Sequence, residues 1–233
     1  AGFEAEKGRC ARVLLKAQGV REPFKIPANQ KFVVSDLCFE TNRSLEAVPY
    51  HIAGVYGHYG GKSIDYSYLL DREVEAPAYI FGESPKAGDS LWLIMDGLPG
   101  PGEEIIFYMT VADRHNRNPF GNKGNNTFAD LKWECYTAQG FTDVSVRDCT
   151  NCFLVSGEVR IRLPQTPAAV CEEGPRSGYA IRVTLQRAEY DVRPKLTNIS
   201  GFLFEAWQKE TKAACYTFNK VSSVTLTSDL LKD

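Results

Sequence analysis

Cys149-Thr-Asn-Cys152 has the spacing of a metal or redox motif. A zinc site needs a second pair of ligands, and a redox pair normally sits at a helix N-terminus. Neither accompanies it. Asp148-Cys-Thr-Asn-Cys-Phe153 reads instead as a turn entering a strand. His51, His58 and His115 lack the i, i+4 spacing of a helical metalloenzyme motif. His58, within Tyr56-Gly-His-Tyr-Gly-Gly61, is the most suggestive, and a glycine-rich loop with an exposed imidazole accounts for it.

No GxSxG elbow, P-loop or GxGxxG after a strand occurs. The Gly97–Gly102 stretch carries two prolines, which cannot align successive N–H donors around a phosphate. Glu103 and Glu104, or Glu172 and Glu173, are adjacent, so on strands they would point to opposite faces rather than form a catalytic pair. No catalytic residue, metal ligand or cofactor site is expected, and the chain reads as non-enzymatic. A hydrolase site assembled from dispersed carboxylates is the one enzymatic reading local sequence leaves open. Aromatics offer binding chemistry: Trp92, Trp133, Tyr136, Trp207, Tyr59 and Tyr66 could stack on sugars if exposed, although burial in a core is the commoner fate.

Such groups need elements to position them. Alternating runs of strand length recur along the chain, among them Lys31 to Asp36, Ala47 to Tyr56, Ser63 to Leu69, Ser90 to Met95, Leu131 to Tyr136, Phe153 to Leu163, Tyr179 to Arg187 and Thr197 to Phe204. Turn formers such as Ile26-Pro-Ala-Asn-Gln30 and Asp96-Gly-Leu-Pro-Gly-Pro-Gly102 separate them. The expected fold is all-β, an antiparallel sandwich of jelly-roll-like or Ig-like type with a small N-terminal β lobe. The lobe is assigned to 1–70 and the sandwich to 78–233. Leu93-Ile-Met95 and Ile105 to Met109 read as central strands covered on both faces. Glu158-Val-Arg-Ile-Arg-Leu163 reads as half-solvated, with Arg160 and Arg162 facing water. Glu205 to Ala214 has helix formers, in competition with a final hairpin.

The 27 basic and 29 acidic residues interleave to a net charge of −2, so no broad field attracts phosphate backbones or anionic lipid. Nucleic acid and membrane are therefore not expected as partners. No apolar stretch of about 18 residues occurs, and Ala1 to Lys7 lacks the order of a signal peptide, so a cytoplasmic product is expected. Seven scattered cysteines, an odd number in apolar strand-like runs, fit reduced buried thiols better than a disulfide framework.

Two stretches together resemble the phage baseplate J-like and related baseplate assembly proteins of contractile tails and tail-derived injection systems. The first runs from Phe24-Lys-Ile-Pro-Ala-Asn-Gln-Lys-Phe32 through Cys38-Phe-Glu-Thr41 to Ser44–Tyr56. It is similar to the family's Ile-Pro-Ala-Gly-Thr turn, Phe-Glu-Thr step and apolar strand. Asn29 replaces the family's glycine and tolerates positive φ, and Phe32 and Val34 are expected to pack on one side. The second comprises Tyr79–Leu93, Glu104–Val111, Leu131–Tyr136, Phe141–Asp148, Phe153–Ile161, Ser177–Val183 and Pro194–Ile199. In order and spacing it resembles the family's sandwich insertion, with Cys135 and Ala180 where the family often has aromatics. The portion that normally follows is absent, and an excised domain is expected.

The resemblance implies a structural module whose partners are other baseplate or tail subunits, present in the bacterial cytoplasm during assembly and then carried on a phage or tail-like particle. The competing reading is a carbohydrate-binding sandwich using exposed aromatics, with a glycan as partner. Contacts are expected at the loops Gly57 to Lys62 and Arg114 to Asn126, and at Tyr59, Trp133, Tyr136, His58 and Arg114.

Overall fold

The computed structural model describes residues 10–74, 76–112, 129–170 and 176–209. Its strands are β1 (Arg12–Lys16), β2 (Phe24–Ile26), β3 (Lys31–Val34), β4 (Leu37–Glu40), β5 (Leu45–Ala47), β6 (Ile52–Tyr59), β7 (Lys62–Asp65), β8 (Ser90–Met95), β9 (Glu104–Val111), β10 (Ala129–Thr137), β11 (Gly140–Asp143), β12 (Ser145–Asp148), β13 (Gly157–Arg162), β14 (Ala169–Val170), β15 (Gly178–Ala188), β16 (Leu196–Ser200) and β17 (Leu203–Gln208). One 3₁₀ turn, Ser67–Leu70, follows β7. The fold is all-β, built from antiparallel sheets in a sandwich-like arrangement.

The chain divides into two compact units, and not at the boundary the sequence suggests. The smaller comprises Ala1–Leu15, Lys25–Glu46 and Glu205–Asp233; the larger comprises Lys16–Phe24 and Ala47–Phe204. Non-local pairing is the reason. β6 and β7, expected in an N-terminal lobe, belong to the large sheet because β6 pairs with β8 from Ile52↔Met95 to His58↔Ser90. β17, expected in the sandwich, pairs with β4 through Trp207↔Glu40. Glu205 to Gln208 are therefore strand rather than helix, and the remainder of that expected helix, from residue 210, lies outside the described residues.

In the smaller unit the sheet order among the described residues is β1-β17-β4-β3. Asn29 adopts φ +61, as the turn before β3 demands of a residue replacing glycine. Thr41 holds that turn: its hydroxyl donates to Pro27 O at 2.7 Å and accepts from Gln30 N at 3.0 Å. Phe32 is half-buried, but Val34 is 48% exposed, so the two do not share a buried side as expected.

The larger unit stacks a seven-stranded sheet, β11-β10-β15-β8-β6-β7 with β14 beside β15, on a four-stranded sheet, β12-β13-β9-β16. Strand parity explains the core. Leu91, Leu93 and Met95 of β8, Trp133 and Cys135 of β10, and Ile181, Val183 and Leu185 of β15 meet Ile105, Phe107 and Met109 of β9 and Val159 and Ile161 of β13. Burial of the Cys135 thiol pushes its pKa up to about 12, which makes it inert at neutral pH.

Arg160 departs from its expected exposure. Its side chain is 11% exposed and lies between Glu158 at 3.3 Å and Glu104 at 3.2 Å, because the guanidinium bridges carboxylates on its own and the adjacent strand. Arg162 is exposed, as expected. The single run expected over Thr197 to Phe204 is two strands. It breaks at Gly201–Phe202, where a Cβ on Gly201 would meet Ile52 Cδ1 at 2.8 Å and Phe202 adopts φ +55.

Candidate functional site

The inward parity of β8 sends Trp92 and Ile94 to the outer face of the seven-stranded sheet, where side chains of five other strands align with them. One cross-strand row runs Asp143, Glu134, Arg182, Trp92, Tyr56, Asp65; the next runs Phe141, Tyr136, Ala180, Ile94, Gly54. A third contains Lys132, Thr184, Ser90, His58 and Ser63. Trp92, Ile94 and Ala180 are buried, and Tyr56, Tyr136 and Phe141 pack half-buried around them.

Electrostatics knit this face together. Glu134 is only 5% exposed, and its Oε2 accepts from Arg182 Nη2 at 2.7 Å and Nε at 2.9 Å, while Lys132 Nζ lies 2.9 Å from Oε1. Arg182 also lies over the ring of Phe141, and Trp92 meets Phe141 edge-on at 4.9 Å. His58 stacks tilted against Trp92 at 5.1 Å. Burial, and then the Arg182 charge, lower the His58 pKa below its ordinary 6.5, so the imidazole is neutral at pH 7.

A second feature sits between the sheets. A groove of about 580 Å³ is lined by residues of β10 and β12 together with Cys152 and Arg187. Beside it Asn151, Cys152 and Phe153 adopt φ +52, +57 and +63, three successive left-handed residues. Such residues cost of order 1–2 kcal/mol each unless the surroundings hold them. Here Thr150 holds them. Its N and Oγ1 both donate to Asp148 Oδ1 at 2.6 Å, its Oγ1 accepts from Phe153 N at 2.9 Å, and its carbonyl accepts from Leu154 N at 3.0 Å. Phe153 is fully buried between Phe81 and Trp133, which locks the turn to the core. Cys149-Thr-Asn-Cys152 is thus a turn leading into β13, with Cys149 exposed and Cys152 buried as free thiols. Among the described residues no three His, Cys, Asp or Glu side chains are placed to share a metal ion.

The third feature is the β3–β4 hairpin of the smaller unit. Val33 is 73% exposed, Val34 48% and Leu37 43%; Val33 and Val34 end β3, and Leu37 begins β4.

The residues singled out from sequence scatter among these settings. His58 and Tyr136 belong to the outer face. Trp133 is 6% exposed in the sandwich interior, so its ring is not an exposed contact; the alternation of β10 puts it on the opposite side from Tyr136's row. Tyr59 packs against the core with its ring over Gly82, whose Cβ would stand 2.7 Å from it, and its hydroxyl bonds that of Tyr66, which in turn donates to Tyr79 O. His58 and Tyr59 lie on β6, and the turn at Gly60–Gly61 joins it to β7. Arg114 and the Arg114–Asn126 loop lie outside the described residues. Sequence reasoning missed Arg182, Phe141 and Tyr56 on the outer face; the only available signal was their parity, which has meaning only once the pairing is known. No protein-family model matches the chain, and no curated protein matches it.

Proposed function

We propose that this chain is a non-catalytic structural module of a contractile-tail-type baseplate, packing against neighbouring subunits. The observation that carries the reading is the β3–β4 hairpin: Val33 is 73% exposed, with Val34 and Leu37 exposed beside it, an apolar surface that packing against another chain would bury. The Phe24–Thr41 segment, which carries the first part of the baseplate resemblance, contains this same hairpin. The rest of the architecture supports a rigid scaffold, since the left-handed turn and the Glu134 cluster are held by internal bonds.

A sugar platform has less support. The outer-face rings of Trp92, Phe141 and Tyr136 meet edge-on, and Arg182 covers the Phe141 face, which leaves fewer flat faces for stacking.

The test is incorporation. In cells producing the whole particle, a Val33→Lys/Leu37→Lys variant is expected to stay soluble and folded but to be lost from sedimented particles. Sedimentation equal to wild type would count against the proposal. Binding of the wild type to an immobilised glycan series, abolished by Tyr136→Ala, would replace it with the carbohydrate reading.

A further inference from the structure

Strand parity sorts the four-stranded sheet into two faces. Ile105, Phe107 and Met109 of β9 and Val159 and Ile161 of β13 belong to the core, so the residues between them take the outer face, together with Ser145 and Arg147 of β12. Register sets three arginines beside one another there. Arg147 stands directly opposite Arg160, and Arg162, opposite Ser145, is the diagonal neighbour of Arg147. Like charges opposed across a strand pair destabilise a sheet, and the carboxylates of β9 and β13 relieve only one of the three. Arg160 takes both: its Nη1 lies 3.2 Å from Glu104 Oε2 and its Nε 3.3 Å from Glu158 Oε1. Glu104 is directly opposite Arg162 in the register, yet it pairs with Arg160. Arg147 and Arg162 are exposed, and among the described residues neither joins an ion pair.

We propose that this face docks an extended acidic segment of a partner protein, whose carboxylates, on alternate residues, pair with Arg147 and Arg162. Alternate side chains of an extended segment share a face and stand about 6–7 Å apart. Diagonal positions on adjacent strands are about 7–8 Å apart, so one segment reaches both guanidinium groups. Each guanidinium offers a fork that a carboxylate fills with two parallel bonds. Binding also lowers the repulsion between Arg147 and Arg160 that the free chain carries. A nucleic-acid backbone fits less well, because Glu104 and Glu158 stand within the patch and the chain has a net charge of −2. The face lies on other strands than the β3–β4 hairpin and needs no assembled particle, so it stands or falls separately from the baseplate proposal.

The experiment is an NMR titration of the purified chain, following the arginine side-chain Nε–H signals. The probes are the peptide acetyl-Thr-Glu-Val-Glu-Thr-amide, the same peptide with glutamine for both glutamates, and oligothymidylate. Saturable shifts at Arg147 and Arg162 are expected with the acidic peptide, and binding of the glutamine peptide at least tenfold weaker, as loss of charge-assisted contacts gives. Arg147→Gln and Arg162→Gln, both at exposed positions, are each expected to weaken the acidic peptide about tenfold. Arg193→Gln, which removes an exposed cation elsewhere, is expected to bind as wild type does. No saturable shift, equal affinity of the glutamine peptide, wild-type affinity in Arg147→Gln or Arg162→Gln, or an equal loss in Arg193→Gln would each overturn the inference. So would oligothymidylate binding more tightly than the acidic peptide at the same two arginines. Self-association of the chain alone that Arg147→Gln abolishes would overturn it as well, by making a second copy the occupant.

Discussion

The guanidinium carbon of Arg182 lies 3.7 Å from the centroid of the Phe141 ring, while the same guanidinium bonds the nearly buried carboxylate of Glu134. One side chain therefore joins β15 to β10 and β11, and covers an aromatic face that would otherwise meet water.

Arg182→Met tests that link. The substitution keeps much of the stem but leaves Glu134 with Lys132 alone, whose side chain is 41% exposed. Breaking a buried pair from one side costs about 3 kcal/mol at the low end of its range, and the remaining lysine keeps the loss there. Urea unfolding should show a lower midpoint with an unchanged slope.

His58 makes stability depend on pH. Its folded pKa is lowered from 6.5, first by burial and then by Arg182. As pH falls through 6.5 the unfolded chain binds the proton before the folded one, so stability drops until the folded imidazole also protonates. Above 6.5 the penalty is absent. Melting temperature measured from pH 8 to pH 5 should fall more steeply for wild type than for His58→Phe, and parallel curves would contradict the assignment.

Thr150→Val keeps the shape of the side chain and removes its hydroxyl. Phe153 N then loses its acceptor, Asp148 loses a donor, and three left-handed residues lose their clamp. Destabilisation of about 2 kcal/mol is expected, the cost of a buried group left unsatisfied. Chemical denaturation compared with Thr142→Val, a substitution at an exposed strand position whose hydroxyl lies 3.1 Å from that of Thr137, separates the turn from a general effect of losing a hydroxyl.

Parity made part of this structure legible. Leu93 to Met95 and Ile105 to Met109 read as central strands covered on both faces. Their odd positions do form the core, because alternation is a local property of the backbone, but Tyr108 is exposed, so the other face of β9 is not covered there. Asn29 was legible too, since few residues other than glycine accept its φ. Pairing partners were not. That Trp207 lies opposite Glu40, or that Tyr56 lies opposite Trp92, depends on residues far apart in the chain. Without those pairings Trp133, on the inner side, could not be told from Trp92 on the outer. The three left-handed residues in Asn151–Phe153 were hidden for another reason: only one of them, Asn151, is a type that favours positive φ, and the clamp that holds them is tertiary.

The central claim is that the β3–β4 hairpin is an intersubunit surface, and a photo-reactive benzoylphenylalanine at Val33 tests it most directly. In assembled particles, irradiation should link this chain to another tail subunit in high yield, while the same residue placed at the exposed Glu189, remote in sequence from the hairpin, should not. Equal, low yields from both positions would contradict the account.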